Sequence, residues 1–81
     1  MAATSEILFS QLKPGDSAEI LDYRDTDEHY KSKLLAMGLV RGTRLKVLQV
    51  APLGDPVEVS VLSYRLSLRK KEANILVLRK L

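Results

Sequence analysis

The sequence predicts a mostly β fold arranged as one small barrel, and three observations lead to it. Aliphatic residues alternate with polar ones over several short stretches, which is the period of a half-buried strand. Glycine and proline punctuate these stretches. Aromatic residues make up only 5% of the chain and tryptophan is absent. The core must therefore come from Val, Leu and Ile, which favour pleated sheet when they alternate.

The N-terminal part predicts a short helical turn followed by a strand. Ser5 or Thr4 can cap the turn, and Pro14 with Gly15 ends it. The first strand then spans 16–23, although its alternation is imperfect.

One helix is predicted in the middle of the chain, where Leu34 and Met37 continue an apolar pattern at helical spacing. Asp25 or Thr26 can satisfy the free amides at its start. Gly38 supplies the left-handed residue that helix ends prefer.

The remaining strands follow this helix. Gly42 opens a second strand whose apolar phase shifts after Val47, which predicts a bulge or a strand covered on both faces. A tight hairpin is expected at 62–63 and a connector at 70–73. The further strands are 57–61, 64–69 and 74–79.

Five short strands, one inserted α-helix and a short N-terminal helical turn predict a small five-stranded SH3-like barrel, in which closure would leave few unpaired edges. The 81 residues suffice for one core, so we expect residues 1–81 to form a single domain.

Composition excludes several functional classes. The chain has no cysteine, which removes disulfides, thiolate metal sites and cysteine nucleophiles and makes the cytoplasm the expected compartment. The N-terminal stretch lacks a signal-peptide pattern, and no 18-residue apolar run occurs. Neither secretion nor membrane insertion is expected.

The one histidine gives a candidate metal site. His29, with Asp25 and Glu28, could ligate a divalent cation, but there is no second histidine and no known ligand spacing. Capping of a solvated helix start explains the same acidic residues. We therefore predict no metal site, no cofactor and no catalytic residue, and retain these three only as weak metal candidates.

The net charge of +3 indicates a mild preference for anionic partners: nucleic acid, lipid headgroups or an acidic protein surface. The basic residues of the C-terminal half are Arg65, Arg69, Lys70, Lys71, Arg79 and Lys80. Sequence-tolerant nucleic-acid binding usually interleaves aromatic residues, and this half offers only Tyr64. Nucleic acid is not the expected partner, but an RNA- or ribosome-binding barrel stays open as an alternative.

The helix and the turn after it hold more apolar residues than one buried stripe requires. They are Leu34, Leu35, Met37, Leu39 and Val40. Some should cover the sheet, while others lie near the surface, where a flexible methionine suits a protein-binding groove. An interpretation in which all of them are core remains open.

Four blocks of sequence occur in an order that indicates a known family. They are Leu12 with Gly15 and 18–20, then 33–42, 51–56 and 66–73. Each block alone is common, but together they resemble the ferrous-iron transport protein A (FeoA) family, and the resemblance extends over nearly the whole chain. That family often has glycine before the Tyr64 position, where this chain has Ser63.

The resemblance implies a small cytoplasmic, non-enzymatic accessory or regulatory protein of bacterial ferrous iron uptake. It implies association with the cytoplasmic part of the membrane ferrous-iron permease, whose G domain binds GTP, and hence recruitment to the inner face of the membrane. It supplies no catalytic residue and leaves the oligomeric state open. A third interpretation is a weak transition-metal-binding domain related to iron-dependent regulators, although the chain lacks the helix-turn-helix needed to read DNA alone.

We expect the partner surface to comprise the helix, the turn after it and the glycine-proline loop. Its residues are Leu34, Leu35, Met37, Gly38, Leu39, Gly54, Asp55, Pro56, Arg69 and Lys70. The aliphatic side chains would supply buried contacts. The basic side chains would aid approach and orientation.

Overall fold

The computed structural model describes residues 6–24 and 28–81, and in these residues the chain forms one β-sheet with short helices. The strands are β1 (Glu6–Ile7), β2 (Ser17–Tyr23), β3 (Arg44–Val50), β4 (Val57–Val61), β5 (Tyr64–Leu68) and β6 (Leu76–Lys80). The helices are α1 (Glu28–Ala36) and the one-turn α2 (Lys70–Ala73), with a 3₁₀ turn at Phe9–Gln11. The predicted mostly β class is confirmed.

The sheet has the order β1-β6-β2-β3-β4-β5, and every neighbouring pair is antiparallel. All five predicted strands are present. The connector expected at 70–73 is instead the one-turn helix α2, so the prediction of a single α-helix is corrected. The sheet differs from the prediction at two points. The sixth strand, β1, has only two residues, which is too short for an alternation to show in the sequence. Within the described residues β1 pairs with β6 and not with β5, so strand pairing does not close the barrel.

Two β-bulges bend the sheet. In the β3–β4 pair the register shifts between Val47 and Gln49, so Leu48 is the extra residue. This confirms the bulge expected from the apolar phase shift. In the β2–β6 pair the register shifts between Ile20 and Asp22, which explains the imperfect alternation of that strand. Each bulge moves the following side chains to the other face and increases the local twist.

The core is aliphatic, with one aromatic ring. Its buried residues are Phe9, Leu12, Ala18, Ile20, Leu34, Leu39, Leu45, Val47, Val57, Val59, Val61, Leu68, Ala73, Ile75, Leu76 and Leu78. Most come from the inward faces of the strands. No polar residue among those described is buried, so the core requires no internal hydrogen-bond network.

Helix α1 ends in a Schellman motif centred on Gly38. The Leu39 N–H donates to the Leu34 carbonyl at 3.1 Å, and the Gly38 N–H donates to the Leu35 carbonyl at 3.0 Å. Gly38 has φ +86°, the left-handed conformation predicted for it. Leu34 and Leu39 are both fully buried, which is the apolar pairing that accompanies this motif.

The predicted helix caps lie outside the described residues. Ser5 and Thr4 precede the first described residue, and Asp25 and Thr26 fall between the two described ranges. The N-terminal helical turn itself is present as the 3₁₀ turn, where the Gln11 side chain accepts a hydrogen bond from the Leu8 N–H at 2.9 Å.

The β4–β5 hairpin has a two-residue loop, as predicted. Its positive φ falls on Leu62, at +53°, and not on Ser63. A positive φ at only the first loop residue is the pattern of a type II′ turn. Leu62 is 82% exposed, so this loop presents an apolar side chain to solvent.

Replacing Gly38 by alanine should lower the free energy of unfolding by about 1 kcal/mol more than the same change at Gly15. Both glycines have positive φ, +86° and +92°, so both variants bear the left-handed backbone cost. A Cβ at Gly38 would lie 2.7 Å from the Tyr64 hydroxyl, whereas one at Gly15 meets nothing within 4 Å. The Tyr64 hydroxyl would then lose its 2.6 Å hydrogen bond to the Met37 carbonyl. Urea unfolding measures both losses, and equal losses would contradict the close approach.

Alanine substitutions at two adjacent leucines should have very different effects. Leu34 is fully buried and Leu35 is 41% exposed. We expect Leu34→Ala to cost about 2 to 5 kcal/mol, because it leaves a cavity in the core. Leu35→Ala should cost less than about 0.5 kcal/mol. Urea unfolding of both variants checks the difference, and similar costs would show that α1 packs on the sheet with another face.

Candidate partner-binding surfaces

An open concavity lies beside α1, between the end of β2 and the turn after the helix. Its volume is about 370 Å³, and its lining residues are Tyr23, Lys31, Leu35, Val40 and Arg41. We call it the α1 concavity. Leu35 and Val40 are 41% and 46% exposed, so the concavity joins accessible aliphatic surface to two cationic side chains.

Tyr23 fixes one wall of the α1 concavity. Its hydroxyl donates a hydrogen bond to the Leu39 carbonyl, which ties β2 to the turn after α1. The Lys31 ammonium lies 5.6 Å from the centre of the Tyr23 ring, within the range of a cation–π contact. Partial burial raises the pKa of Tyr23, while the positive charge of Arg41 acts in the opposite direction. The hydroxyl therefore stays protonated and keeps donating at neutral pH.

An ion pair lies at the rim of the α1 concavity. Arg41 Nη2 and Nε donate to Asp22 Oδ1 at 2.7 Å and 3.0 Å. The hydrogen bond from Arg41, followed by that from the Tyr23 N–H, lowers the pKa of Asp22. Both side chains are well exposed, so the pair adds little to stability. Its effect is to orient the Arg41 guanidinium at the edge of the concavity.

A second surface forms where the β3–β4 loop meets the start of α2. We call residues 53–56, Arg69 and Lys70 the loop cluster. Asp55 Oδ1 accepts a hydrogen bond from the Lys70 N–H at 2.9 Å. The Lys70 ammonium lies over Gly54, 3.5 Å from the position that a Cβ there would take. The structure thus brings together predicted residues that are about 15 positions apart in sequence.

The predicted residues of the helix separate into core and surface. Leu34 and Leu39 are fully buried, so their role as partner contacts is revised: they belong to the hydrophobic core. Leu35 is exposed and lines the α1 concavity. Met37 is partly buried against the core, and Gly38 lies against the Tyr64 hydroxyl.

An ion pair connects the two helices that border these surfaces. Lys33 Nζ on α1 lies 2.6 Å from Glu72 Oε2 on α2. Glu72 is the more buried partner, with 15% of its side chain exposed against 45% for Lys33. The α1 concavity and the loop cluster therefore sit on elements that are held together.

Sequence reasoning missed four surface residues: Tyr23, Lys31, Arg41 and Leu53. The first three belong to the α1 concavity only because a strand end, a helix and a turn converge in space, which no local pattern reveals. Leu53 had a usable signal, because a leucine between proline and glycine belongs to no alternating strand. It is 96% exposed.

Glu28 and His29 are exposed at the start of α1, and the His29 ring lies 6.0 Å from that of Tyr30. The third weak metal candidate, Asp25, lies outside the described residues. Across 6–24 and 28–81, no three His, Asp or Glu side chains cluster so as to hold a metal ion.

In the same two ranges, neither helix has the length or apolarity to cross a bilayer.

The FeoA domain family model matches residues 7–80. The chain belongs to the FeoA family. A relative in Porphyromonas gingivalis, the Fe(2+) transport protein A/Fe(2+) transporter FeoB fusion protein, is 38% identical over 64 residues, or 79% of this chain. This FeoA-family chain spans only 8% of the length of that fusion protein.

Two solved structures show the same fold. The FeoA-like protein from Clostridium acetobutylicum matches with a TM-score of 0.88 at 29% identity, over 98% of this chain and 91% of that one. Stenotrophomonas maltophilia FeoA complexed with zinc, described as a prokaryotic SH3 domain protein, matches with a TM-score of 0.75 at 27% identity, over 89% and 88%. The fold of this FeoA-family chain is SH3-like, as the sequence predicted.

The Tyr23 hydroxyl should make stability depend on pH at the alkaline end. Its folded-state pKa lies above the usual 10.0, so the unfolded chain releases this proton first as pH rises. The contribution of the Tyr23 hydroxyl to the free energy of unfolding is therefore complete below pH 10.0 and is lost as pH rises through the folded-state pKa. Tyr23→Phe should be less stable by about 1 kcal/mol at neutral pH, and this difference should shrink at high pH. Urea unfolding of both proteins on either side of pH 10 tests this, and a constant difference would contradict it.

Proposed function

We propose that this chain is a non-enzymatic accessory protein of bacterial ferrous iron uptake that binds the cytoplasmic part of the membrane ferrous-iron permease. One observation carries the proposal: in the P. gingivalis relative, an Fe(2+) transport protein A part and an Fe(2+) transporter FeoB part are one fusion protein. The S. maltophilia relative is described as a candidate ferrous iron transport activating factor, which supports the same role.

The fusion indicates what contact between the two parts of that relative requires. A covalent linker keeps two parts at an effective concentration on the order of millimolar, so weak contacts suffice between them. The exposed aliphatic and basic side chains of this chain would supply such contacts.

The contact surface that we propose consists of the α1 concavity and the loop cluster. Leu35 and Val40 are exposed beside Lys31, so aliphatic contact and a positive charge are available together, while Arg41 at the rim is paired with Asp22. The aliphatic groups would be desolvated on binding and give affinity. The charges would steer approach and fix orientation. We propose the cytoplasmic GTP-binding part of the permease as the partner region, with recruitment of the chain to the inner face of the membrane.

Leu35→Asp should weaken binding to the cytoplasmic part of the permease about tenfold or more, because it puts a charge into the α1 concavity. Leu62→Asp is the matched control, since Leu62 is also exposed but lies in the β4–β5 hairpin. Affinity pull-down followed by titration measures binding, and circular dichroism checks the fold of each variant.

Three results are informative in this experiment. Loss of binding in Leu35→Asp with normal binding in Leu62→Asp supports the α1 concavity as a contact. Equal binding by both folded variants would remove it from the interface. A wild-type chain that fails to bind the permease under any of these conditions would refute the proposed function itself.

A further inference from the structure

The apex of the β3–β4 loop carries the most exposed large apolar side chain of the described residues. Leu53 is 96% exposed, ahead of Leu62 at 82%. A single exposed leucine is ordinary on a protein surface, so exposure alone assigns no role. Leu53 differs from other exposed leucines in two respects: hydrogen bonds order the loop backbone on both sides of it, and basic residues lie nearby.

The loop backbone is fixed on both sides of Leu53. The Gly54 N–H donates to the Ala51 carbonyl at 2.8 Å, and the Ala51 N–H donates to the Pro56 carbonyl at 3.1 Å. Pro52 and Pro56 have restricted φ angles. Because this turn is already ordered, little backbone entropy is lost when a partner encloses the leucine.

A third support comes from α2. Asp55 Oδ1 accepts the hydrogen bond of the Lys70 N–H at 2.9 Å, which anchors the loop to the start of that helix. The Lys70 ammonium lies over Gly54, the residue after Leu53. The loop therefore presents an aliphatic tip, and the Lys70 ammonium lies close to the residue that follows it.

Three consecutive basic residues, Arg69, Lys70 and Lys71, stand in the sequence where the loop meets α2. They outnumber the two carboxylates of the loop and of α2. Asp55 holds the Lys70 N–H, and Glu72 lies 2.6 Å from the Lys33 ammonium. A partner that encloses Leu53 would therefore gain from acidic side chains around its rim.

We propose that Leu53 is the anchor of the loop cluster and inserts into an apolar socket with an acidic rim on the cytoplasmic part of the permease. This inference rests on the proposed function and names its point of contact. A single convex leucine buries little area against a flat protein surface. In a socket the same side chain is enclosed and desolvated, as the dominant residues of interfaces are.

Leu53→Ala and Leu62→Ala form a matched pair, because both change an exposed leucine in a loop next to β4. Binding of the whole protein to the cytoplasmic part of the permease is measured by biolayer interferometry at low and high salt. Leu53→Ala should raise Kd at least tenfold, mainly through faster dissociation. Leu62→Ala should change Kd less than twofold. Lys70→Gln should slow association and reduce its salt dependence.

The outcomes separate this inference from the proposed function. If the wild-type chain binds and Leu53→Ala binds equally well, the socket is wrong and the proposed function stands. If the wild-type chain does not bind, the proposed function fails and the socket fails with it. The wild-type chain is also sedimented with vesicles of phosphatidylcholine and phosphatidylglycerol. Sedimentation that Leu53→Ala abolishes would assign the leucine to lipid and overturn the socket.

Discussion

The turn of residues 37–39 is the junction on which the rest of the structure depends. Its Met37 carbonyl accepts a hydrogen bond from Tyr64 of β5, and its Leu39 carbonyl accepts one from Tyr23 of β2. These strands are three places apart in the sheet, so the turn joins parts of the sheet that do not pair directly. Gly38 makes this possible, because it adopts a positive φ and leaves space for the Tyr64 hydroxyl. In this SH3-like chain the end of helix α1 therefore connects strands β2 and β5, which do not pair with each other.

Both proposed contact surfaces follow from the way this junction orients α1. With Leu34 and Leu39 held in the core, Leu35 and Val40 are turned outward, and they become the aliphatic part of the α1 concavity. The other side of the helix reaches α2 through the ion pair between Lys33 and Glu72, next to the loop cluster. Side chains that the sequence presents as one apolar group therefore have opposite roles, some supporting the surface and others forming it.

Local features of the fold were predictable, and features that depend on distant contacts were not. Strand β4 and the helix end at Gly38 follow from alternation and backbone preference within a few residues. The bulge at Leu48 is visible in the sequence as a shift in the phase of the apolar residues. The two-residue strand β1 has no such signal in the sequence, because it pairs with β6 at the other end of the chain. The apolar pattern around Leu34 likewise could not reveal which leucines the sheet covers, since that depends on the turn after the helix. The turn within the loop cluster could be predicted because its chemistry is local, whereas the shape of the α1 concavity could not, because three separate elements form it. The role of both surfaces in binding stays a prediction.

The pairing of β1 with β6 has a consequence for how the domain is built into longer proteins. Glu6 lies directly opposite Arg79, so the first and last described strands are neighbours at one edge of the sheet. A polypeptide attached before β1 and one attached after β6 would leave from this edge, while the β3–β4 loop and the β4–β5 hairpin belong to strands at the other end of the sheet order. Such an arrangement suits insertion or end-to-end joining, because a neighbouring domain can be added without breaking a hydrogen bond of the sheet.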